Sequence, residues 1–193
     1  YGLKTMSMGY LTTAETPMVW RGPMASSALS QLLEKTLWGD IDLLLVDMPP
    51  GTGDIQLTLS QRATLSGAVI VTTPQDIALL DARKGIEMFQ KVDVPVLGLI
   101  ENMSSHTCPA CGHSEPLFGE AGGENLAAHY AVPLLAQIPL SRAIREQSDQ
   151  GCPIVVSEPE GQEAQIYQQA AIALMASLAQ QKPASGPVIS MSD

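Results

Sequence analysis

Residues 43–53 read LLLVDMPPGTG, an apolar run that ends in Asp47 and passes directly into a turn rich in proline and glycine. A continuous apolar run of this length is typical of a strand buried on both faces of a parallel sheet. A carboxylate at the end of such a run is costly to bury unless a cation or hydrogen-bond donors lie beside it. We therefore predict a strand over Ile41–Asp47 and a functional carboxylate at the carboxyl edge of a parallel sheet.

The order of strand, aspartate and glycine-rich turn is typical of a Walker B strand and its switch. A Walker B aspartate holds Mg²⁺ directly or through water, and Gly51 has no Cβ to keep its backbone away from a γ-phosphate. The sequence nevertheless contains no G-x-x-x-x-G-K-[S/T] phosphate loop. The pattern thus predicts the metal side of a nucleotide site without the loop that cradles phosphates.

The composition narrows the class of protein. The chain has 193 residues, a formal net charge of −10 and a pI of about 4.6. Such an acidic chain is unfavourable for non-specific binding to nucleic acid or to anionic membranes, and it has no apolar run long enough to span a bilayer. Three cysteines are too few for a disulfide scaffold, so a reducing cytoplasm is the expected compartment.

Helical and strand patterns alternate along the chain. We predict helices over 23–38, 54–65, 76–91, 123–130, 141–150 and 160–180, and strands over 41–47, 67–72, 95–100 and 134–138. In the helix over 76–91 the predicted inward residues are Ile77, Leu80, Ile86 and Phe89. Strands alternating with helices indicate an α/β fold with a mostly parallel sheet flanked by helices. We expect one domain over residues 1–180, with a loop insert at 102–118 and a disordered tail at 181–193.

The loop insert carries a C-x-x-C motif, Cys108-Pro109-Ala110-Cys111, between His106 and His113. This spacing lets two thiolates reach one metal centre, but zinc and [4Fe–4S] sites generally have four protein ligands. The two histidines could complete a zinc site locally, or a two-fold dimer could supply a second pair of cysteines. A reactive dithiol that binds no metal is the third alternative, and the motif alone does not separate them.

Five segments together resemble the Mrp/ApbC family of iron–sulfur cluster carrier ATPases, which is related to P-loop proteins of the MinD/ParA type. The segments are VDMPPGTGD at 46–54, VTTPQDIALLDARKGIEMF at 71–89, PVLGLIENMS at 95–104, CPACG at 108–112 and IPL at 138–140. The resemblance runs from about residue 18 to about residue 159. The order and spacing of the segments make it specific.

The resemblance implies roles for individual residues. Asp47 would be the Walker B residue, and residues 49–54, with Gly51 and Asp54, would be the switch that senses the γ-phosphate. Asn102 would hydrogen-bond the nucleotide base, with Pro139 and Leu140 lying along it. Cys108 and Cys111 would hold a [4Fe–4S] cluster shared between two chains of a homodimer. That cluster would be passed to recipient apo iron–sulfur proteins, coupled to binding and hydrolysis of ATP with Mg²⁺.

The chain departs from the family pattern in one large respect. The family's first strand and its deviant Walker A loop of the GKGGVGKS kind have no counterpart in these residues. By analogy the missing strand would lie between the 41–47 and 67–72 strands. We therefore expect this chain alone to bind ATP weakly and to be inactive as an ATPase.

Two other functions compete with the carrier reading. One is a zinc-binding dimerisation module without catalysis, which would use the same two cysteines. The other is a positioning ATPase of the MinD/ParA type. The C-x-x-C insert disfavours the second alternative, and so does the lack of Lys and Arg on the last predicted helix.

Overall fold

The computed structural model describes residues 1–10, 22–49, 51 and 53–181. These fall into two compact units, Tyr1–Thr64 and Leu65–Asp193, which are described separately. The single domain expected from the sequence stays a prediction. The predicted tail beyond Gln181 lies outside the described residues.

The first unit is built on two helices that pack against each other, α1 (Gly22–Lys35) and α2 (Asp54–Arg62). The hydroxyl of Thr58 donates a hydrogen bond to Ser26 Oγ at 3.0 Å, which links the two helices. A single turn of 3₁₀ helix, Met8–Tyr10, precedes them. Both helices predicted in this part of the sequence are present, although each ends three residues early.

The strand predicted over Ile41–Asp47 is wrong. These residues form no strand, and the side chain of Leu45 in the middle of the apolar run is 75% exposed. A strand exists only through its hydrogen-bond ladder, and no strand forms among the described residues of this unit to pair with. Asp47 is consequently exposed and does not lie at the end of a sheet strand.

The second unit alternates strands and helices. In chain order these are β1 (Ala68–Thr72), α3 (Asp76–Lys91), β2 (Val96–Asn102), β3 (His106–Thr107), β4 (Ser114–Glu115), α4 (Gly122–Tyr130), β5 (Leu134–Ile138), α5 (Arg142–Asp149), α6 (Ile154–Ser157) and α7 (Gln162–Ala179). The long elements agree with the sequence patterns within about two residues at each end. The short helix α6, which follows Pro153, was not predicted.

Strands β1, β2 and β5 form a parallel sheet in the order β1-β2-β5, so β2 is the middle strand. The register pairs Thr72 with Glu101 and Asn102 with Ile138, which brings the carboxyl ends of all three strands to one edge. Among the described residues β1 pairs only with β2. The predicted α/β fold with a parallel sheet flanked by helices is confirmed.

The core of the second unit lies between the sheet and its helices. Helices α3 and α4 pack on β1 and β2, and α7 packs on β5 and β2. The buried cluster consists of Ile70, Ala82, Ile86, Leu99, Leu126 and Ala127. Among the described residues, no helix is long and apolar enough to cross a bilayer.

Two of the four residues predicted to face inward on α3 are exposed, Ile77 by 72% and Leu80 by 50%. Ile86 is fully buried and Phe89 packs against the core, as predicted. At about 100° per residue, Leu80 lies about 160° and Ile77 about 140° around the helix from the buried Ala82. The apolar residues of α3 therefore cover more than one face, and the structure buries only the stripe through Ala82 and Ile86.

Candidate functional site

The carboxyl edge of the sheet gathers the residues predicted to bind a nucleotide base. Asn102 ends β2, and its side-chain oxygen accepts a hydrogen bond from the backbone N–H of Met103 at 2.9 Å. Pro139 and Leu140 follow directly after β5, whose last residue is in register with Asn102. All three predicted residues are half-buried, and the structure brings them to the same edge.

A cavity of about 920 Å³ opens at this edge. Its lining includes Ser104, Gln137, Pro139 and Leu140, together with several glutamates. The volume lies within the range typical of small-molecule sites. The edge therefore offers both an apolar ledge, formed by Pro139 and Leu140, and room for a ligand beside it.

Glu101 ends the apolar run 95–101, and the sequence analysis gave it no role of its own. It is only 1% exposed, and its carboxylate accepts hydrogen bonds from the backbone N–H of Gly123 and from Gln137 Nε2, the latter at 3.0 Å. One side chain thereby links β2, the first turn of α4 and β5 just beneath the ledge. A carboxylate at the end of an apolar run was the signal that singled out Asp47, and the same signal was available in the run 95–101.

The C-x-x-C motif occupies the turn of a small antiparallel hairpin, the cysteine hairpin (residues 106–115), in which β3 pairs with β4. The N–H of Cys108 donates to the carbonyl of His113 at 2.8 Å, and the N–H of Gly112 donates to the carbonyl of Cys108 at 2.9 Å. Gly112 has φ of +73°, a conformation that L-residues rarely adopt. The part of the insert around the motif is therefore a defined turn.

Groups within the hairpin favour the thiolate form of Cys108. The backbone N–H groups of Ala110 and Cys111 and the side chain of Cys111 all donate to it, which lowers the pKa of Cys108 from its ordinary value. Cys108 is half-buried and Cys111 exposed, and both are free thiols. Because the thiolate is the metal-binding form, this arrangement favours metal ligation at Cys108.

The histidines beside the motif do not complete a local metal site. The ring Nδ1 of His106 lies 3.3 Å from the carbonyl oxygen of Leu140, and His113 is exposed. Within the part of the chain that the structure describes, no three residues among Cys, His, Asp and Glu are grouped to hold a metal ion. Among the described residues, the structure therefore places no third metal ligand beside the two thiols.

The three residues predicted for the metal and γ-phosphate side lie in the first unit. Asp47 and Gly51 are exposed, and Gly51 has φ of +103°. Asp54 is the first residue of α2, where a carboxylate is favourable near the helix N-terminus. Gly53 takes the N-cap position of α2, and the carbonyl of Pro49 accepts a hydrogen bond from Gln56 Nε2 at 2.8 Å.

Comparison with known proteins identifies the family of the chain. The profile of the ParA family described as "NUBPL iron-transfer P-loop NTPase" matches residues 1–175. The chain is 59% identical over 172 residues to an iron-sulfur cluster carrier protein of Pseudomonas fragi. The matched region covers 89% of this chain and 60% of that protein. The chain spans about half the length of the curated relatives that it matches: 60% of the Pseudomonas fragi protein and 48% of an iron-sulfur cluster carrier protein of Escherichia coli (strain K12).

Two solved structures resemble the fold. One is a nucleotide-binding protein from Archaeoglobus fulgidus in complex with ADP, with 38% identity and a TM-score of 0.62 over 72% of this chain and 56% of that one. The other is the cell division ATPase MinD of Pyrococcus furiosus, with 26% identity and a TM-score of 0.59 over 78% of this chain and 58% of that one. The predicted relationship to MinD/ParA proteins is confirmed. Since the family profile spans nearly the whole chain, this protein belongs to the ParA family, among the NUBPL-type iron-transfer P-loop NTPases.

Proposed function

We propose that this chain is an iron–sulfur cluster carrier that binds a [4Fe–4S] cluster through Cys108 and Cys111 and passes it to apo iron–sulfur proteins. The observation that carries the proposal is the cysteine hairpin, whose turn is closed by the hydrogen bonds from Cys108 N–H to the His113 carbonyl and from Gly112 N–H to the Cys108 carbonyl, so that both cysteines lie in one defined turn. The nearby N–H groups of Ala110 and Cys111 lower the pKa of Cys108. Such donors stabilise a thiolate before any metal arrives. The 59% identity to a protein named as a cluster carrier supports the same reading.

The half-site implies a second copy of the chain. A [4Fe–4S] cluster takes four thiolate ligands, and one hairpin offers two. A two-fold axis through the cluster would bring Cys108 and Cys111 from each of two chains together, giving a homodimer. Transfer would then proceed by ligand exchange, in which recipient thiolates replace those of the carrier without a change in oxidation state. Free thiols need a reducing compartment, and we propose the cytoplasm.

The nucleotide side of the proposal rests on the carboxyl edge of the sheet. Asn102 would hydrogen-bond the base of ATP, and Pro139 and Leu140 would form the apolar ledge beside it. Asp47, Gly51 and Asp54 would act on Mg²⁺ and the γ-phosphate. Pro139 and Leu140 help to line the cavity of about 920 Å³, which supports their part in the base site, whereas Asn102 is not among its lining residues. Hydrolysis additionally needs a phosphate-cradling loop, which these 193 residues do not contain.

Anaerobic reconstitution with iron and sulfide tests the carrier function. We expect the full chain to become brown, with a broad visible absorption and half a cluster of iron and acid-labile sulfide per chain. The double variant Cys108→Ala/Cys111→Ala should stay colourless. The matched control Cys152→Ala removes the third cysteine, which lies outside the hairpin, and should load like the parent chain.

A zinc-binding dimerisation module is the second candidate, because two hairpins would equally supply four thiolates to one Zn²⁺. Metal analysis of the purified chain separates the two functions. We would assign the zinc module, and not the carrier function, if the chain held zinc tightly at half an atom per chain and took up no iron and sulfide after the zinc was removed.

A further inference from the structure

The backbone directly after β2 is tied to the backbone directly after β5. Ser104 donates to the carbonyl of Ile138 through both its N–H, at 3.0 Å, and its hydroxyl, at 3.2 Å. The N–H of Leu140 donates to the carbonyl of Ser105 at 2.7 Å. We call the segment Ser104–His106 the strap. It continues the pairing of β2 with β5 past the strand ends and leads directly into the cysteine hairpin.

His106 closes the strap. Its ring Nδ1 lies 3.3 Å from the carbonyl oxygen of Leu140. A backbone carbonyl only accepts hydrogen bonds, so Nδ1 must carry the hydrogen. His106 is also the first residue of β3 and lies two positions before Cys108. His106 therefore contacts the ledge through its side chain, and its backbone begins the hairpin that carries Cys108 and Cys111.

Leu140 is held by the strap at both of its backbone polar groups. Its N–H is bonded to Ser105 and its carbonyl to His106. A ligand that presses against Leu140 on the ledge cannot shift this residue without stretching one of these bonds or moving the strap with it. The strap in turn is covalently continuous with the hairpin, so a displacement of the ledge reaches Cys108 over a very short path.

We propose that the strap couples occupancy of the Pro139–Leu140 ledge to the geometry of the cysteine hairpin, with His106 as the positioning residue. The inference rests on the proposed function, in which the ledge takes a base and the hairpin takes a cluster. Coupling between two sites is reciprocal in binding free energy. We therefore expect cluster binding at the hairpin to change the hydrogen bonding of Leu140, and this change can be measured without any nucleotide.

The first arm of the test uses the full chain free of metal and cluster. Amide hydrogen exchange is followed at Leu140 by NMR in the parent chain, His106→Leu, His106→Asn and the control His129→Leu, which alters an exposed histidine on α4. Asparagine keeps an N–H donor close to the position of Nδ1. We expect exchange at Leu140 to rise about tenfold or more in His106→Leu and to stay within about twofold in the other two variants. Equal exchange in His106→Leu and the parent chain would overturn the positioning role.

The second arm compares cluster-loaded with cluster-free chains. Loading should slow exchange at Leu140 in the parent chain and in His106→Asn, but not in His106→Leu. No change at Leu140 on loading of the parent chain would overturn the coupling. A parent chain that takes up no cluster would overturn the proposed function and the coupling with it, whereas the metal-free arm would still decide whether His106 positions Leu140.

Discussion

Gly123 donates its backbone N–H to the buried carboxylate of Glu101, and a Cβ at position 123 would lie 2.6 Å from Glu101 Oε2. The helix α4 can approach β2 this closely only because residue 123 is glycine. The substitution Gly123→Ala should therefore lower the free energy of unfolding by about 1–3 kcal/mol, although alanine is the better helix former. Urea denaturation measures the change.

Gly85 in α3 is the matched control. A Cβ there would meet Ile70 Cδ1 at 3.6 Å, an ordinary contact. Gly85→Ala should thus raise the free energy of unfolding by about 0.5–1 kcal/mol, because it removes backbone freedom from the unfolded chain. Effects of the same sign for the two glycines would contradict the close packing of α4 on Glu101.

The carboxylate of Glu101 can be tested separately. Glu101→Ala leaves the buried N–H of Gly123 without its acceptor, which costs about 1–3 kcal/mol. It also frees the amide of Gln137, which is exposed and can bond to water instead. Glu101→Gln keeps one acceptor oxygen and should lose less stability than Glu101→Ala. Thermal and urea unfolding of both variants measure the order. An alanine variant as stable as the parent chain would show that water replaces the carboxylate.

The sequence was most informative where structure is set locally. The amphipathic pattern of α3 and the apolar runs of β1, β2 and β5 predicted those elements almost to the residue. It failed at Ile41–Asp47, because an apolar run becomes a strand only when another strand is available to pair with it. The contact of His106 with Leu140 was equally out of reach, since it joins residues 34 positions apart. By contrast, the position of Glu101 at the end of the apolar run 95–101 was a local signal that could have indicated its burial.

The two cysteines of the hairpin should differ in reactivity. Donation from Ala110, and then from Cys111, holds the pKa of Cys108 below its ordinary value. A lowered pKa enlarges the thiolate fraction near neutral pH, and the thiolate is the nucleophile. Alkylation of Cys108 by iodoacetamide should therefore persist to lower pH than alkylation of Cys111, although Cys111 is the more exposed.

Site-resolved mass spectrometry over a pH series measures both alkylation rates in the metal-free chain. Cys152 serves as an internal reference outside the hairpin. Coincident rate profiles for Cys108 and Cys111 would contradict the N–H donation to the Cys108 thiol.

Some apolar side chains of the second unit are exposed to solvent. Val71 on β1 is 63% exposed and Ile77 at the start of α3 is 72% exposed. Exposed apolar surface of this kind binds hydrophobic dyes and favours association. Ile77→Lys should lower dye binding at little cost in stability, within about 0.5 kcal/mol, because the side chain has few contacts to lose. Dye fluorescence and sedimentation velocity measure the two effects; unchanged values would show that Ile77 is covered in solution.

Nucleotide binding by this chain should be weak. The ledge and Asn102 offer contacts to a base, but most of the affinity for ATP in P-loop proteins comes from backbone N–H groups and a lysine that contact the phosphates. Isothermal titration with Mg·ATP should detect no binding in the micromolar range. Micromolar affinity would mean that residues other than a Walker A loop hold the phosphates.

The position of β2 in the middle of the sheet has a consequence for local unfolding and proteolysis. Edge strands fray and are nicked by proteases first, whereas a middle strand is released only after both of its neighbours have let go. The thiol pair is attached a few residues beyond the carboxyl end of that strand. The cysteine hairpin is thereby attached to the strand that pairs on both sides, and we expect fraying of either edge strand to leave the hairpin in place.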